Sequence, residues 1–259
     1  MVEPRAEHRQ RPYGVRLEWG PHGAELLARE CAVVVIVDVL SFCTAVDVAV
    51  GRGARVLPRR WADASTTTGA VTASSPAARA ADEHGAVRAG RRAEPGPSLR
   101  PSSLRGLAPG TLLALPSPNG ATLCAAAAGQ RAVVLAGCLR NATAVATAAR
   151  AVGGPVGVVP AGERWPDDTL RVAAEDALGA GAIVAALGRC DPAPARSPEA
   201  ELAAAQFAAG ARSGLLDVLS GLVSGRELIA DGYGEDVALA ADLDISTEAP
   251  RLVDGILRT

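Results

Sequence analysis

Short runs of Val, Ile and Leu recur along the chain. Each is followed by a turn and then an alanine-rich segment of helical length, and no other feature restricts the fold as much. The runs read as strands near 15–19, 32–37, 54–57, 111–115, 131–136 and 155–160. The segments around them read as helices near 22–29, 43–51, 61–72, 76–84, 120–128, 141–151, 170–187, 198–211 and 214–222. This alternation implies an α/β fold, a sheet with helices on both faces. Hydrophobic residues make up 49% of the chain but aromatics only 3%, so the core has to be built from Ala, Val and Leu. With 259 residues the expectation is one unit over 1–259. Within it, 1–14 is expected to be a flexible N-terminus, and the Pro/Ser/Gly-rich stretch 94–110, "EPGPSLRPSSLRGLAPG", an internal loop.

In open α/β sheets ligands bind beyond the carboxyl ends of the strands. Four such ends carry polar residues here: Asp38 after "VVVIV", "SPNGAT" (117–122), "GCLRNAT" (137–143) and "AGERWPDDT" (161–169). An acid at the position of Asp38 can coordinate a metal, attack as a nucleophile or simply cap the next helix. The hydroxyls of Ser41 and Thr44, beside that helix's first amides, suit a phosphate or another anion. Asn-Gly is a common hairpin turn, but "ATLCAAAAG" after it reads as helix. Asn119 and Gly120 are therefore expected to open that helix, with Gly allowing close approach of a ligand. Asn141 stands in the same position before "ATAVATAA", as an N-cap or a ligand contact.

The richest acidic stretch holds Glu163, Asp167 and Asp168 in a loop and Glu175 and Asp176 in a helix. Adjacent helical residues point about 100° apart, so Glu175 and Asp176 cannot both face one metal unaided, and one of them can be left at the surface. Oxygen ligands without a His or Cys cluster favour Mg²⁺ over zinc.

Several chemistries are excluded. The three histidines, His8, His22 and His84, lie away from the strand ends, which argues against a Ser-His-Asp triad. There is no GxGxxG and no Walker A sequence, and the DxD of aspartyl-nucleophile phosphatases fails at Leu40. A net charge of −2 argues against a nucleic-acid partner. The arginines near Arg88, Arg91, Arg92, Arg100 and Arg105 form a solvated loop or bind one anion. No apolar run reaches the roughly 18 residues of a membrane span, and "MVEPRAEHRQRPYG" lacks the apolar core of a signal peptide. The expected location is cytoplasmic. Five scattered cysteines without a CxxC pair, Cys31, Cys43, Cys124, Cys138 and Cys190, are expected as reduced thiols.

Taken in order, these stretches resemble the 2-phosphosulfolactate phosphatase family, the ComB-like proteins, over roughly residues 30–254. The family's "DVLRAST" resembles "DVLSFCT" (38–44), and its "TTNGT" resembles "SPNGA" around Asn119 and Gly120. Its Asn-Ala pair resembles Asn141-Ala142, and its "AG...ED..gAGAI" block resembles Ala161-Gly162 and Glu175-Asp176 through Ile183. Its closing segment is similar to "SGRELIADGYGEDVALAADLDISTEAP" (224–250). The resemblance implies a three-layer α/β/α sandwich with a mixed, largely parallel sheet. It also implies Mg²⁺ dependence and hydrolysis of a small sulfonated hydroxy acid's phosphate ester, on the route to coenzyme M.

Residues and resemblance together assign Asp38, Glu175 and Asp176 to catalysis, with Asp38 and Asp176 as Mg²⁺ ligands. They assign Ser41, Thr44, Asn119, Gly120, Asn141 and Glu163 to a small-molecule phosphate ester. The expected assembly is a homo-oligomer, a dimer being the commonest. Two departures stand out. Ser41 occupies the place of the family's arginine, and "AGRRAEPGP" (89–97) replaces a Gly-Glu segment. Lys or Ser cannot reproduce a bidentate arginine clamp. Either Arg91, Arg92 or Arg100 compensates, or the chain is a weak or inactive relative that binds an anionic metabolite or a protein partner.

Overall fold

Val33–Val37 forms β2, a strand with no polar position. Successive strand residues point to opposite faces, so such a run needs cover on both sides. Val34 and Ile36 enter one core, under α1 (Gly20–Glu30), α2 (Phe42–Gly51) and α3 (Gly120–Ala127). Val33, Val35 and Val37 enter another, under α4 (Ala142–Val152), α5 (Ala174–Gly188) and α6 (Pro198–Ser213). The result is the three-layer α/β/α sandwich. This computed structural model describes residues 5–60, 85–190 and 192–259. The helices expected at 61–72 and 76–84, and His84, lie outside the described residues.

The other strands are β1 (Val15–Leu17), β3 (Arg55–Arg60), β4 (Val87–Arg88), β5 (Leu112–Ser117), β6 (Val133–Gly137), β7 (Val156–Pro160), β8 (Glu163–Arg164), β9 (Leu170–Arg171), β10 (Arg251–Val253) and β11 (Ile256–Arg258). Among the described residues, eight of them join β2 in one mixed sheet in the order β1-β7-β2-β6-β10-β11-β3-β5-β4, and β8 pairs with β9 apart from it. β1, β7, β2 and β6 are parallel to one another, as are β3, β5 and β4. The antiparallel hairpin β10–β11 is inserted between the two blocks and is antiparallel to both neighbours. The second block therefore points opposite to the first. The ends of β2 and β5 nevertheless meet, where Gly120 N–H donates to Asp38 Oδ2 at 2.9 Å.

The remaining helices are α7 (Leu215–Gly221), α8 (Val223–Ala230) and α9 (Gly234–Ala241). Among the described residues, no helix is long and apolar enough to cross a membrane. All five cysteines are free, and only Cys190 is not fully buried.

At several points the structure departs from the sequence reading or adds to it. Leu170 and Arg171 pair with Arg164 and Glu163 as strand, so the helix expected from 170 starts at Ala174. β10, β11, α8 and α9 were not anticipated. Residues 5–14 are bonded in, not loose: the Gln10 side chain donates to Leu17 O at 2.9 Å and accepts from Leu17 N–H at 3.1 Å. The stretch 94–110 is likewise tied down. It contains a 3₁₀ turn at Pro101–Leu104, and Asp236 of α9 accepts from Ser102 N–H at 2.8 Å and Arg100 Nε at 3.1 Å.

Candidate active site

Asp38 is the first residue beyond β2 and only 5% exposed. Its Oδ1 accepts from Phe42 N–H at 3.0 Å, at the start of α2. Its Oδ2 accepts from Gly120 N–H at 2.9 Å, at the start of α3. Two helix N-termini, each carrying partial positive charge, thus converge on one carboxylate. Gly120 has no room for a side chain there: a Cβ would lie 2.7 Å from Phe42 Cγ and 2.9 Å from Asp38 Oδ2. Overpacking of this kind costs about 1–3 kcal/mol. Gly120→Ala is expected to lower the melting temperature measurably and to reduce activity with it. A variant as stable as the parent would show that the contact yields.

Asp176 lies at the start of α5. Its Oδ1 accepts from Val39 N–H at 2.7 Å and its Oδ2 from Gly162 N–H at 2.9 Å, joining the ends of β2 and β7. Glu163 accepts from Asn119 Nδ2 at 3.0 Å. The expectation that one of Glu175 and Asp176 can be left at the surface does not hold. Both are 3% exposed, and the Glu175 carboxylate has no hydrogen-bond partner among the described residues. Asp38, Asn119, Gly120, Glu163, Glu175 and Asp176 are thus brought into one neighbourhood from the ends of β2, β5 and β7 and the start of α5.

The acids disturb one another. Burial pushes the Asp38 carboxyl up to about 6, held back by the Phe42 and Gly120 amides and by Arg92, and raised further by Glu163. Burial also raises Asp176 well above the ordinary carboxyl range, and the nearby Asp38 and Glu175 add to the rise. Glu163 is raised by burial first and by Glu175, against the hydrogen bond from Asn119. Buried like charges cannot all ionise without a proton or a cation among them. The donors are oxygens only. Among the described residues no three His, Cys, Asp or Glu side chains form a ready-made metal cage.

Two other expected residues, Thr44 and Asn141, point elsewhere. The Thr44 hydroxyl donates to Val39 O at 2.7 Å, fixing the turn after β2. Asn141 accepts from Cys138 N–H at 2.9 Å and donates to Ala136 O at 3.3 Å, fixing the turn after β6. Both side chains are fully buried, and buried polar groups take the nearest partner. Neither is placed to touch a ligand. Ser41 Oγ accepts from Arg92 Nη2 at 3.1 Å. Cys43 packs beneath, its thiol on Ile36 O at 3.3 Å and its pKa pushed well up by burial, so it is no nucleophile.

Arg92 is the functional candidate the residue assignment lacked. Its sequence signals were its place in the arginine-rich loop and the loss of the family's arginine at Ser41, for which Arg91, Arg92 or Arg100 could compensate. Beside Asn119 and Glu163 opens a cleft of about 360 Å³, also lined by His22, Arg164, Thr169 and Leu170.

No match is found among curated proteins. A family model described as 2-phosphosulpholactate phosphatase matches residues 22–255, a span that includes every site residue named above. A match over this much of the chain means that it belongs to the 2-phosphosulpholactate phosphatase family, whose members are phosphoric monoester hydrolases.

Proposed function

We propose that the chain is a Mg²⁺-dependent phosphatase for a small anionic phosphate ester, close in chemistry to 2-phosphosulfolactate. The observation that carries the reading is the Asp38 carboxylate, buried between two helix N-termini and beside a second buried carboxylate, Asp176. The oxygen-only donor set fits Mg²⁺, which takes one or two carboxylates and completes its shell with water and substrate phosphate. No three-residue cage is needed. Each oxygen of Asp38 and Asp176 accepts one amide and keeps a second lone pair. These two residues would hold the ion, which when bound would offset phosphate charge.

The remaining steps belong to the chain's own groups. Glu175, without a hydrogen-bond partner, accepts the proton of the water that attacks phosphorus. Glu163, held by Asn119 at the cleft and raised by burial, donates a proton to the ester oxygen as its bond to phosphorus breaks. Asn119 orients Glu163, and the 360 Å³ cleft takes the departing alcohol, a volume suited to a few-carbon acid.

The test is phosphate release from a panel of esters with Mg²⁺ present. It should include phosphosulfolactate, phospholactate and an uncharged alkyl phosphate. Turnover is expected for esters bearing a second anionic group. Release from none of them would favour a relative that binds without turnover, the reading that Ser41 in place of the family's arginine supports.

A further inference from the structure

The loop carrying Arg92 is pinned on both sides. Ala89 N–H donates to Ala114 O at 3.0 Å and Gly90 N–H to Pro97 O at 2.8 Å. Farther along, Arg100 lies over the Tyr233 ring, 4.7 Å from its centre, and bonds Asp236. Arg100 is therefore spent on the C-terminal segment. The Arg91 residue is exposed. Only Arg92 among the three reaches Ser41, and it does so from rigid backbone.

One half of its guanidinium is engaged and the other is not. Nη2 donates to Ser41 Oγ at 3.1 Å, whereas Nη1 is buried with no hydrogen-bond partner among the described residues. Leaving a buried donor unmade costs about 1–3 kcal/mol, more when charged. Nearby negative charge comes from Asp236, Asp38 and Glu163, none within bonding distance of Nη1. The Phe42 and Gly120 amides, which would otherwise serve an anion at these helix starts, are already given to Asp38. The site thus has four acids, and beside it stands Arg92 with a buried donor unmade among the described residues.

We infer that Arg92, projecting from the loop, binds the phosphoryl group of the ester beside Ser41, with Nη1 as the free prong. A planar fork presents two donors to two oxygens, a geometry that lysine lacks. The inference rests on the phosphatase reading for its ligand, but its test does not require turnover.

The experiment is calorimetric titration of inorganic phosphate into the full chain with Mg²⁺, for wild type, Arg92→Ala, Arg92→Lys and Arg91→Ala. Losing one charge-assisted contact predicts about 10- to 100-fold weaker binding in Arg92→Ala. Arg92→Lys should recover part of it, and added guanidinium ion should restore the Ala variant. Arg91→Ala should bind as wild type does. A merely structural Arg92 would shift the melting temperature but gain nothing from guanidinium.

Equal phosphate affinity in wild type and either Arg92 variant overturns the inference, and leaves the phosphatase reading standing if esters are still hydrolysed. Arg92-dependent binding without hydrolysis of any ester sinks the phosphatase reading and keeps the anion site. A wild type that binds no phosphate overturns the inference outright. Arg92→Lys, which keeps the charge and most of the volume, serves if the Ala variant does not fold.

Discussion

Asp38→Asn is expected to lower turnover about 10³-fold, equivalent to the several kcal/mol that a bound metal's charge supplies, while the protein stays folded. Asn has the same shape and keeps one acceptor for Phe42 or Gly120, but turns an NH₂ toward the other amide. It also removes the charge that the ion would bind. Stability should respond to pH in a way that identifies the group. The carboxyl moves from 3.8 to about 6 on folding, so the folded state holds its proton longer than the unfolded state. Asp38 therefore supports the metal-free protein below pH 4. That support fades as pH rises to about 6, a loss on the order of 3 kcal/mol. Melting curves of the metal-free protein at pH 4.5 and pH 7 would show wild type losing more than Asp38→Asn between them. A variant that keeps its rate within a few-fold of wild type would remove Asp38 from the chemistry.

The largest effect on stability is expected at Arg140, away from the site. Its Nε donates to Asp47 Oδ2 at 2.8 Å, and its Nη1 donates to Leu239 O at 2.9 Å and Asp242 Oδ2 at 3.2 Å. Arg140 thereby fastens α9 to α2. Asp47 is 1% exposed, and its Oδ1 already lacks a partner among the described residues. Arg140→Met would leave that carboxylate buried and unpaired, which costs about 3–5 kcal/mol, or about 10 °C in melting temperature. The double variant Asp47→Leu/Arg140→Met should regain most of the loss, because the uncompensated charge goes with Asp47. If the double variant melts as low as Arg140→Met, the ion pair is not the cause. The same segment fixes the site indirectly, since Asp236 and Tyr233 of the α9 region hold Arg100 and the loop that presents Arg92.

Much of the site was legible because one physical rule governs it. Parallel strands covered on both faces exclude polar side chains, which collect where the strands stop. Asp38, Asn119 and Glu163 were singled out that way, whereas Asp176 came from the acidic run in a helix and from the resemblance, and it meets Val39 N–H from 137 positions away. The layered fold followed from the same alternation, and the family match over 22–255 agrees with the motifs read in order.

What escaped the sequence has no period to reveal it. Thr44 and Asn141 look like ligand contacts, but whether a hydroxyl or amide turns outward or back to its own turn is settled by burial, which spacing does not encode. Arg92 follows a two-residue strand, and its reach to Ser41 depends on bonds from residues near 236. The inserted hairpin did leave a trace in "RLVDGILR". Asp254 and Gly255 both take positive φ, 51° and 78°, as an Asp-Gly two-residue turn between short apolar runs requires.

The most direct test is phosphate release from phosphosulfolactate by chelator-treated protein, before and after Mg²⁺ is restored, beside Asp38→Asn. The account predicts no release without metal, release on adding Mg²⁺, and no such recovery in the variant. Release that is equal with chelator and with Mg²⁺, or equal in wild type and Asp38→Asn, would contradict it.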